Sequence, residues 1–327
     1  MKKVLVNKPI HEDAIKLLSS EVEVLTPYNA PPEEILKMLS TVQGMVLCVG
    51  FKVTAETLEL INGLEVIGRH GVGLEIIDVG AATRKGLPVT FTPEGPTEST
   101  AEHAFLLMTA AARKLTFLDR QTRAGNFVIR DSVVGYELLN KKVGVAGFGR
   151  IGQRFAEMCR AAYHMEVHAF DPFMTNDKVK QLGAIPHNDL TEMAENVNFL
   201  SVHTPATPQT HHMINAAVLE ALGKDGFIVN CARGPVVDEQ ALVTALQNNI
   251  IAGAGVDVYD PEPPSPNNPL FSLDNVVLTP HLASFTEEGR QRMGMMVAED
   301  VLRVLRGEMP KYPANPQVFQ KKSSQFK

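Results

Sequence analysis

Cysteine is scarce in this chain: 327 residues hold three, Cys48, Cys159 and Cys231, an odd number without the paired spacing of a disulfide framework or a metal site. Reduced thiols in a cytoplasmic protein are the expectation. His211 and His212 are adjacent but have no cysteine or carboxylate close to them in sequence, so no metal is expected. Apolar runs long enough to cross a bilayer are missing, and Met1–Lys8 lacks the apolar stretch of a secretory signal, reading better as a first strand. Runs of lysine and arginine are missing too, and the formal net charge is −6. Neither nucleic acid nor an anionic membrane is then the expected partner. No internal repeat or low-complexity segment is visible. What remains is 44% hydrophobic and 21% charged, a globular composition in a chain long enough for two domains with separate cores.

The first ninety or so residues alternate short β-rich runs, at Val4–Asn7, Val22–Leu25, Met45–Val49, Val66–Arg69 and Val89–Phe91, with helical patterns at 11–19, 32–40, 54–62 and 76–85. Pro31-Pro32 suits a helix's opening turn and Thr54 an N-cap. Such alternation implies a parallel sheet with helices on both faces. After a turn-rich connection at Thr92–Thr97, one long helix is expected from Ser99 to Ala124. Its small residues, Ala101, Ala104, Ala111 and Ala112, would let another subunit or domain pack close. A second alternating series follows, with strands at Val143–Ala146, Glu166–Phe170, Phe199–His203, Phe227–Asn230, Gly253–Val258 and Val276–Thr279. A last helix runs from Glu287 to Arg306, and the tail from Lys321 to Lys327 should fray.

The second series opens on the most informative stretch. Val143–Ala146 runs into Gly147-Phe148-Gly149-Arg150-Ile151-Gly152, a G-x-G-x-x-G turn, with a helix expected from the last glycine. Gly147 permits the tight turn, Gly149 lets the backbone approach a pyrophosphate, and Gly152 allows close helix–strand packing. Nineteen residues past Gly152, Asp171 closes the next strand, where its carboxylate would take the ribose hydroxyls and repel a 2′-phosphate. Glycine patterns alone are weak, but Ile151, Phe155, Met158, Cys159 and Ala162 continue this one as the apolar stripe of a helix on a sheet. The pattern points to NAD.

Downstream, Arg233 and His281 each sit just past an expected strand, where open parallel sheets bind ligands. Glu262 lies between Pro261 and Pro263, which restrict its backbone. Singly, each has an ordinary explanation as a surface ion pair, a strand-end histidine or a loop acid. Together they form a chemical set. Arginine grips a carboxylate bidentately, histidine exchanges a proton near neutral pH, and a carboxylate fixes its tautomer. Such a set suits hydride transfer to a 2-oxo acid.

Several segments in order resemble the D-isomer-specific 2-hydroxyacid dehydrogenases: Gly68–Asp78, the nucleotide turn, Ser201–Pro205, Asn230–Asp238, Asp257–Pro264 and Thr279–Ser284. The resemblance covers nearly the whole chain and implies two doubly wound α/β domains. A Rossmann NAD-binding domain at 100–284 would be inserted in a flavodoxin-like substrate-binding domain at 1–99 and 285–327. It implies catalytic roles for Arg233, Glu262 and His281, and substrate carboxylate binding by the Val72-Gly73 backbone. Gly147, Gly149, Arg150, Ile151, Gly152, Asp171, His203, Thr204, Cys231 and Asp257 would bind cofactor, Asp257 at the nicotinamide amide. A homodimer built partly on the long helix is also implied. Ala81–Gly86, Ala101-Glu102-His103 and Asn230–Gly234 look most like phosphoglycerate dehydrogenases, yet Cys48 stands where that branch often has a phosphate-pairing arginine. The resemblance therefore leaves 3-phosphoglycerate, glyoxylate, hydroxypyruvate and related 2-oxo acids open as substrates. The alternative from another class is an NAD-sensing corepressor of the same fold.

Overall fold

The computed structural model describes residues 1–323. The chain divides into two compact units, one made of Met1–Thr97 and the chain from Ser284 onward, the other of Glu98–Ala283.

The first unit holds strands β1 (Lys3–Val6), β2 (Glu23–Leu25), β3 (Gly44–Leu47), β4 (Val66–Arg69) and β5 (Val89–Thr90). They form an all-parallel sheet of order β2-β1-β3-β4-β5, the flavodoxin-like arrangement. Helices α1 (Glu12–Ser19), α2 (Pro32–Leu39), α3 (Ala55–Leu60) and α4 (Val79–Arg84) connect them. Alternation along each strand splits the core in two. Val4 and Val6 pack with Val46, Val66 and Leu18 on one face, while Leu5 packs with Leu47, Ile67 and Leu39 on the other. Burial on both faces is why these strands read as continuous apolar runs.

The second unit begins with α5 (Thr97–Ala112) and α6 (Leu115–Arg123), then β6 (Lys142–Ala146), α7 (Arg150–Tyr163), β7 (Glu166–Phe170), α8 (Asn176–Gln181), β8 (Ile185–His187) and α9 (Leu190–Glu195). It continues through β9 (Phe199–Val202), α10 (Ala216–Leu222), β10 (Phe227–Asn230), α11 (Glu239–Gln247), β11 (Gly253–Val256) and β12 (Val276–Leu278). The sheet is parallel, in the order β12-β11-β10-β9-β6-β7-β8. This is a Rossmann sheet with one strand added, and its order reverses between β6 and β9. Returning to the first unit, α12 (Glu287–Leu305) lies on β3 and β4. Gly68 makes room for it: a Cβ there would fall 2.5 Å from Val301 and 2.6 Å from Val297.

Three expectations need correction. The single helix over 99–124 is two helices, because the Ala112 carbonyl accepts the Tyr136 N–H at 2.9 Å instead of continuing the ladder, and Lys114 turns left-handed at φ 52°. The small face of α5 serves its own unit: Ala101, Ala104, Ala111 and Ala112 are buried in its core, and a Cβ on Gly255 would lie 2.7 Å from Leu107 Cβ. Between β7 and β9 the sequence suggested no elements, yet α8, β8 and α9 lie there, each six residues or fewer. The stretch from Lys321 that is expected to fray falls on the end of α13 (Gln317–Ser323) and on residues 324–327, which lie outside the described residues.

Candidate active site

The nucleotide turn is built by close contact. Gly147, at φ 93°, donates its N–H to Phe170 O at 2.8 Å and presses against the chain leaving β9, so that a Cβ would lie 2.8 Å from the His203 carbonyl carbon. A Cβ on Gly152 would fall on the Gly147 carbonyl oxygen, which explains the glycine where α7 crosses β6. Gly149 is different: a Cβ there would meet nothing within 4 Å, so that side of the turn is open. Gly149 caps α7, which starts at Arg150 rather than at Gly152, because the extended backbone of Gly149 already sets the first turn and its carbonyl accepts Gln153 N–H. The N–H groups of Arg150, Ile151 and Gly152 are therefore those a helix leaves unsatisfied, at its positive end. Asp171 closes β7 with both oxygens engaged, accepting Phe148 N–H at 2.8 Å and Phe173 N–H at 2.9 Å. An open glycine backbone, free first-turn donors and a fixed acid fit a dinucleotide pyrophosphate and ribose.

The flanking residues are neutral. Burial holds the His203 imidazole down to about 3, and its Nε2 pairs with Ser201 Oγ at 2.8 Å. Cys231 is buried, and burial, aided by Asp257, pushes its thiol well above the usual range. Thr204 is buried beside Met213, with Oγ1 donating to its sulfur at 3.6 Å.

Arg233 lies three residues beyond β10. Buried Asn230 braces its loop, accepting Ala232 N–H at 3.0 Å and donating to Arg233 O at 3.0 Å, while Arg233 Nη1 donates to Ala232 O at 2.6 Å. A Cβ on Gly234 would coincide with the Tyr259 carbonyl, so only glycine lets the Arg233 loop lie against the loop carrying Glu262. His281 lies three residues beyond β12 in the left-handed region at φ 53°, uncommon for residues other than glycine. Its Nδ1 meets Glu262 Oε1 at 2.5 Å, and both side chains are about two-fifths exposed. With Nδ1 committed to the carboxylate, Nε2 is the nitrogen left to exchange a proton with a ligand. A cavity of about 370 Å³ opens beside the pair, walled by Tyr259, Pro263, Phe271 and Leu278.

Asp257, immediately after β11, is fully buried. Its carboxylate accepts Thr279 Oγ1 at 2.6 Å, Leu282 N–H at 3.0 Å and Ala283 N–H at 3.0 Å, with His103 Nε2 3.5 Å away. Burial works to raise this carboxyl, but the bonds from His103, Thr279, Leu282 and Ala283 together hold it below its usual value. Asp257 thus grips the His281 loop on both sides. His103, whose Nε2 also meets Thr279 Oγ1 at 3.0 Å, had no role in the sequence beyond its place in a resembling segment.

Val72 and Gly73 belong to the first unit, in the loop after β4. Arg69 holds that loop, its guanidinium donating to Gly73 O at 2.9 Å, Cys48 O at 2.7 Å and His70 O at 2.6 Å. Val72 is half-exposed and Cys48 is buried, its thiol pushed up to about 11.

A Rossmann sheet bearing this turn, in a chain that also holds a separate all-parallel unit, defines a two-unit dinucleotide-binding protein. Residues 105–283 match the family described as D-isomer specific 2-hydroxyacid dehydrogenase, NAD binding domain. The chain is 39% identical over 328 aligned positions to D-3-phosphoglycerate dehydrogenase of Methanocaldococcus jannaschii, a match covering 100% of this chain but 62% of that protein. It is 36% identical to glyoxylate reductase of Korarchaeum cryptofilum, covering 97% of this chain and 96% of the relative. A crystal structure of an NADPH-dependent glyoxylate/hydroxypyruvate reductase from Sinorhizobium meliloti, in complex with NADP and malonate, superposes with a TM-score of 0.85 at 32% identity, covering 96% and 97% of the two chains. The chain belongs to the D-isomer-specific 2-hydroxyacid dehydrogenases.

Replacing Asp257 with asparagine tests the grip on the His281 loop. An amide nitrogen would face one of the N–H donors, leaving it unsatisfied at a cost of about 1–3 kcal/mol in denaturant unfolding near neutral pH. A depressed carboxyl contributes stability in full above its unfolded value of 3.8 and loses it as pH falls through the lower folded value. Melting temperature in the variant should therefore fall less steeply than in wild type below pH 3.8.

Proposed function

We propose that this protein is an NAD-dependent D-2-hydroxyacid dehydrogenase that reduces small 2-oxo acids, with hydroxypyruvate and glyoxylate as the best-supported substrates. The observation that carries the reading is the His281–Glu262 pair at 2.5 Å, on loops braced by Asp257 and Gly234. Bound NADH supplies a hydride to the carbonyl carbon. Arg233 holds the substrate carboxylate. His281 donates the Nε2 proton to the carbonyl oxygen as it becomes a hydroxyl, and Glu262, on Nδ1, orients the imidazole. In the oxidative direction His281 takes the proton back. On this reading Glu98–Ala283 is the NAD domain and the other unit the substrate domain.

The chain is 39% identical to the phosphoglycerate dehydrogenase, of which it spans less than two thirds, and 36% identical to the glyoxylate reductase. A buried thiol at Cys48 cannot supply the charge a phosphate requires, which favours unphosphorylated substrates. Leu106, Leu115, Phe127, Val128 and Val134 are exposed along and after α5, and their burial in a cytoplasmic homodimer completes the proposal.

Steady-state kcat/KM with NADH over glyoxylate, hydroxypyruvate, pyruvate and phosphohydroxypyruvate tests the function. Hydroxypyruvate or glyoxylate should lead the series, and His281→Ala should lower kcat about 10²–10⁴-fold, the span of general acid catalysis. No turnover of any of the four would remove the enzyme reading and favour a cofactor-sensing role. Asp171→Asn, which keeps the shape and removes the charge, should reduce the NADH:NADPH ratio of kcat/KM by about tenfold. An unchanged ratio would take coenzyme choice away from Asp171.

A further inference from the structure

Adjacent to the Glu262 loop lies a side-chain cluster that the reduction does not use. His211 and His212 stand in the loop between β9 and α10, and Asp260 stands 48 residues beyond His212, just after β11. The parallel sheet delivers both loops to the same edge. One donor atom from each of the three side chains lies within 4.8 Å of the other two. The two imidazoles are stacked with centroids 3.9 Å apart and planes opened by 26°.

Both loops are anchored by their backbones. His212 N–H donates to Pro235 O at 2.9 Å, and His211 N–H to Thr207 O at 3.0 Å. Asp260 N–H donates to Glu239 Oε2 at 3.1 Å, and the other Glu239 oxygen accepts from Asn268 at 2.7 Å. The donor groups are thus carried on fixed backbone, and their side chains are partly exposed and able to turn.

We propose that His211, His212 and Asp260 form a binding site for a divalent transition-metal ion of the Zn²⁺ type. Two imidazoles and one carboxylate are borderline nitrogen and oxygen donors, suited to Zn²⁺, Co²⁺ or Ni²⁺ and poorly suited to Mg²⁺ or Ca²⁺. Bonds of about 2.0–2.2 Å place tetrahedral ligand atoms roughly 3.4 Å apart, so the three side chains close inward by rotation about their own bonds. Three protein ligands leave the fourth position for water. The ion clamps the His211–His212 loop to Asp260, two residues from Glu262. Binding stands on this geometry alone and does not depend on the dehydrogenase reading.

Isothermal titration of untagged full-length protein, freed of metal by a chelator, with ZnCl₂ tests the site. Wild type should take up one equivalent through it. Affinity at that equivalent should fall at least tenfold in His211→Ala and in Asp260→Asn, and remain unchanged in His164→Ala, which removes an exposed imidazole elsewhere. Equal melting temperatures in chelator establish that the variants are folded. A Zn²⁺ affinity unaffected by either site variant, or lost in only one, or lost equally in His164→Ala, overturns the three-ligand assignment.

Discussion

The chemistry of this molecule hangs on one buried carboxylate. Asp257 leaves β11 beside β12, where Val256 pairs with Leu278, and so reaches Thr279 and the backbone of Leu282 and Ala283. Burying a charge without partners is costly, and this one is satisfied by bonds from residues on either side of His281. Sheet register is thereby converted into the position of a single imidazole. The left-handed backbone of His281 is a conformation that persists only where its surroundings over-determine it, and the Asp257 bonds do that.

Glycine supplies the second constraint, at places where backbone meets backbone. Gly152 lets α7 close on the nucleotide turn, Gly234 lets the Arg233 loop rest on Tyr259, and Gly255 lets α5 lie on β11. Each position would place a Cβ inside a neighbouring atom or against it. Gly149 shows the opposite case, open space where a ligand phosphate needs bare backbone.

Much of this was legible in the sequence because it is local. A strand, a glycine turn and a helix stripe within twenty residues specify a nucleotide turn, and strands buried on both faces announce themselves as apolar runs. Arg233 and His281 stand out by residue type and strand-end position and Glu262 by the prolines on either side of it, and the structure brings Glu262 to His281. The break after Ala112 was hidden because it depends on Tyr136, more than twenty residues away, taking a carbonyl. β8 was hidden because three residues containing Pro186 carry no period. His103 sits on a helix 154 residues before Asp257, and His211 and His212 seemed isolated until the sheet brought Asp260 beside them. What escaped was long-range pairing between polar groups, which leaves no periodic trace.

In the proposed reduction Glu262 acts through His281, the source of the proton. With Nδ1 held 2.5 Å from the carboxylate, the imidazole is fixed with Nε2 left to donate. The most direct test is the steady-state kinetics of 2-oxo acid reduction in wild type and in Glu262→Gln, which keeps the shape of the side chain and removes its charge. kcat should fall by about 10²-fold in the variant with KM little changed. An unchanged kcat would contradict a part for Glu262 in the proton transfer.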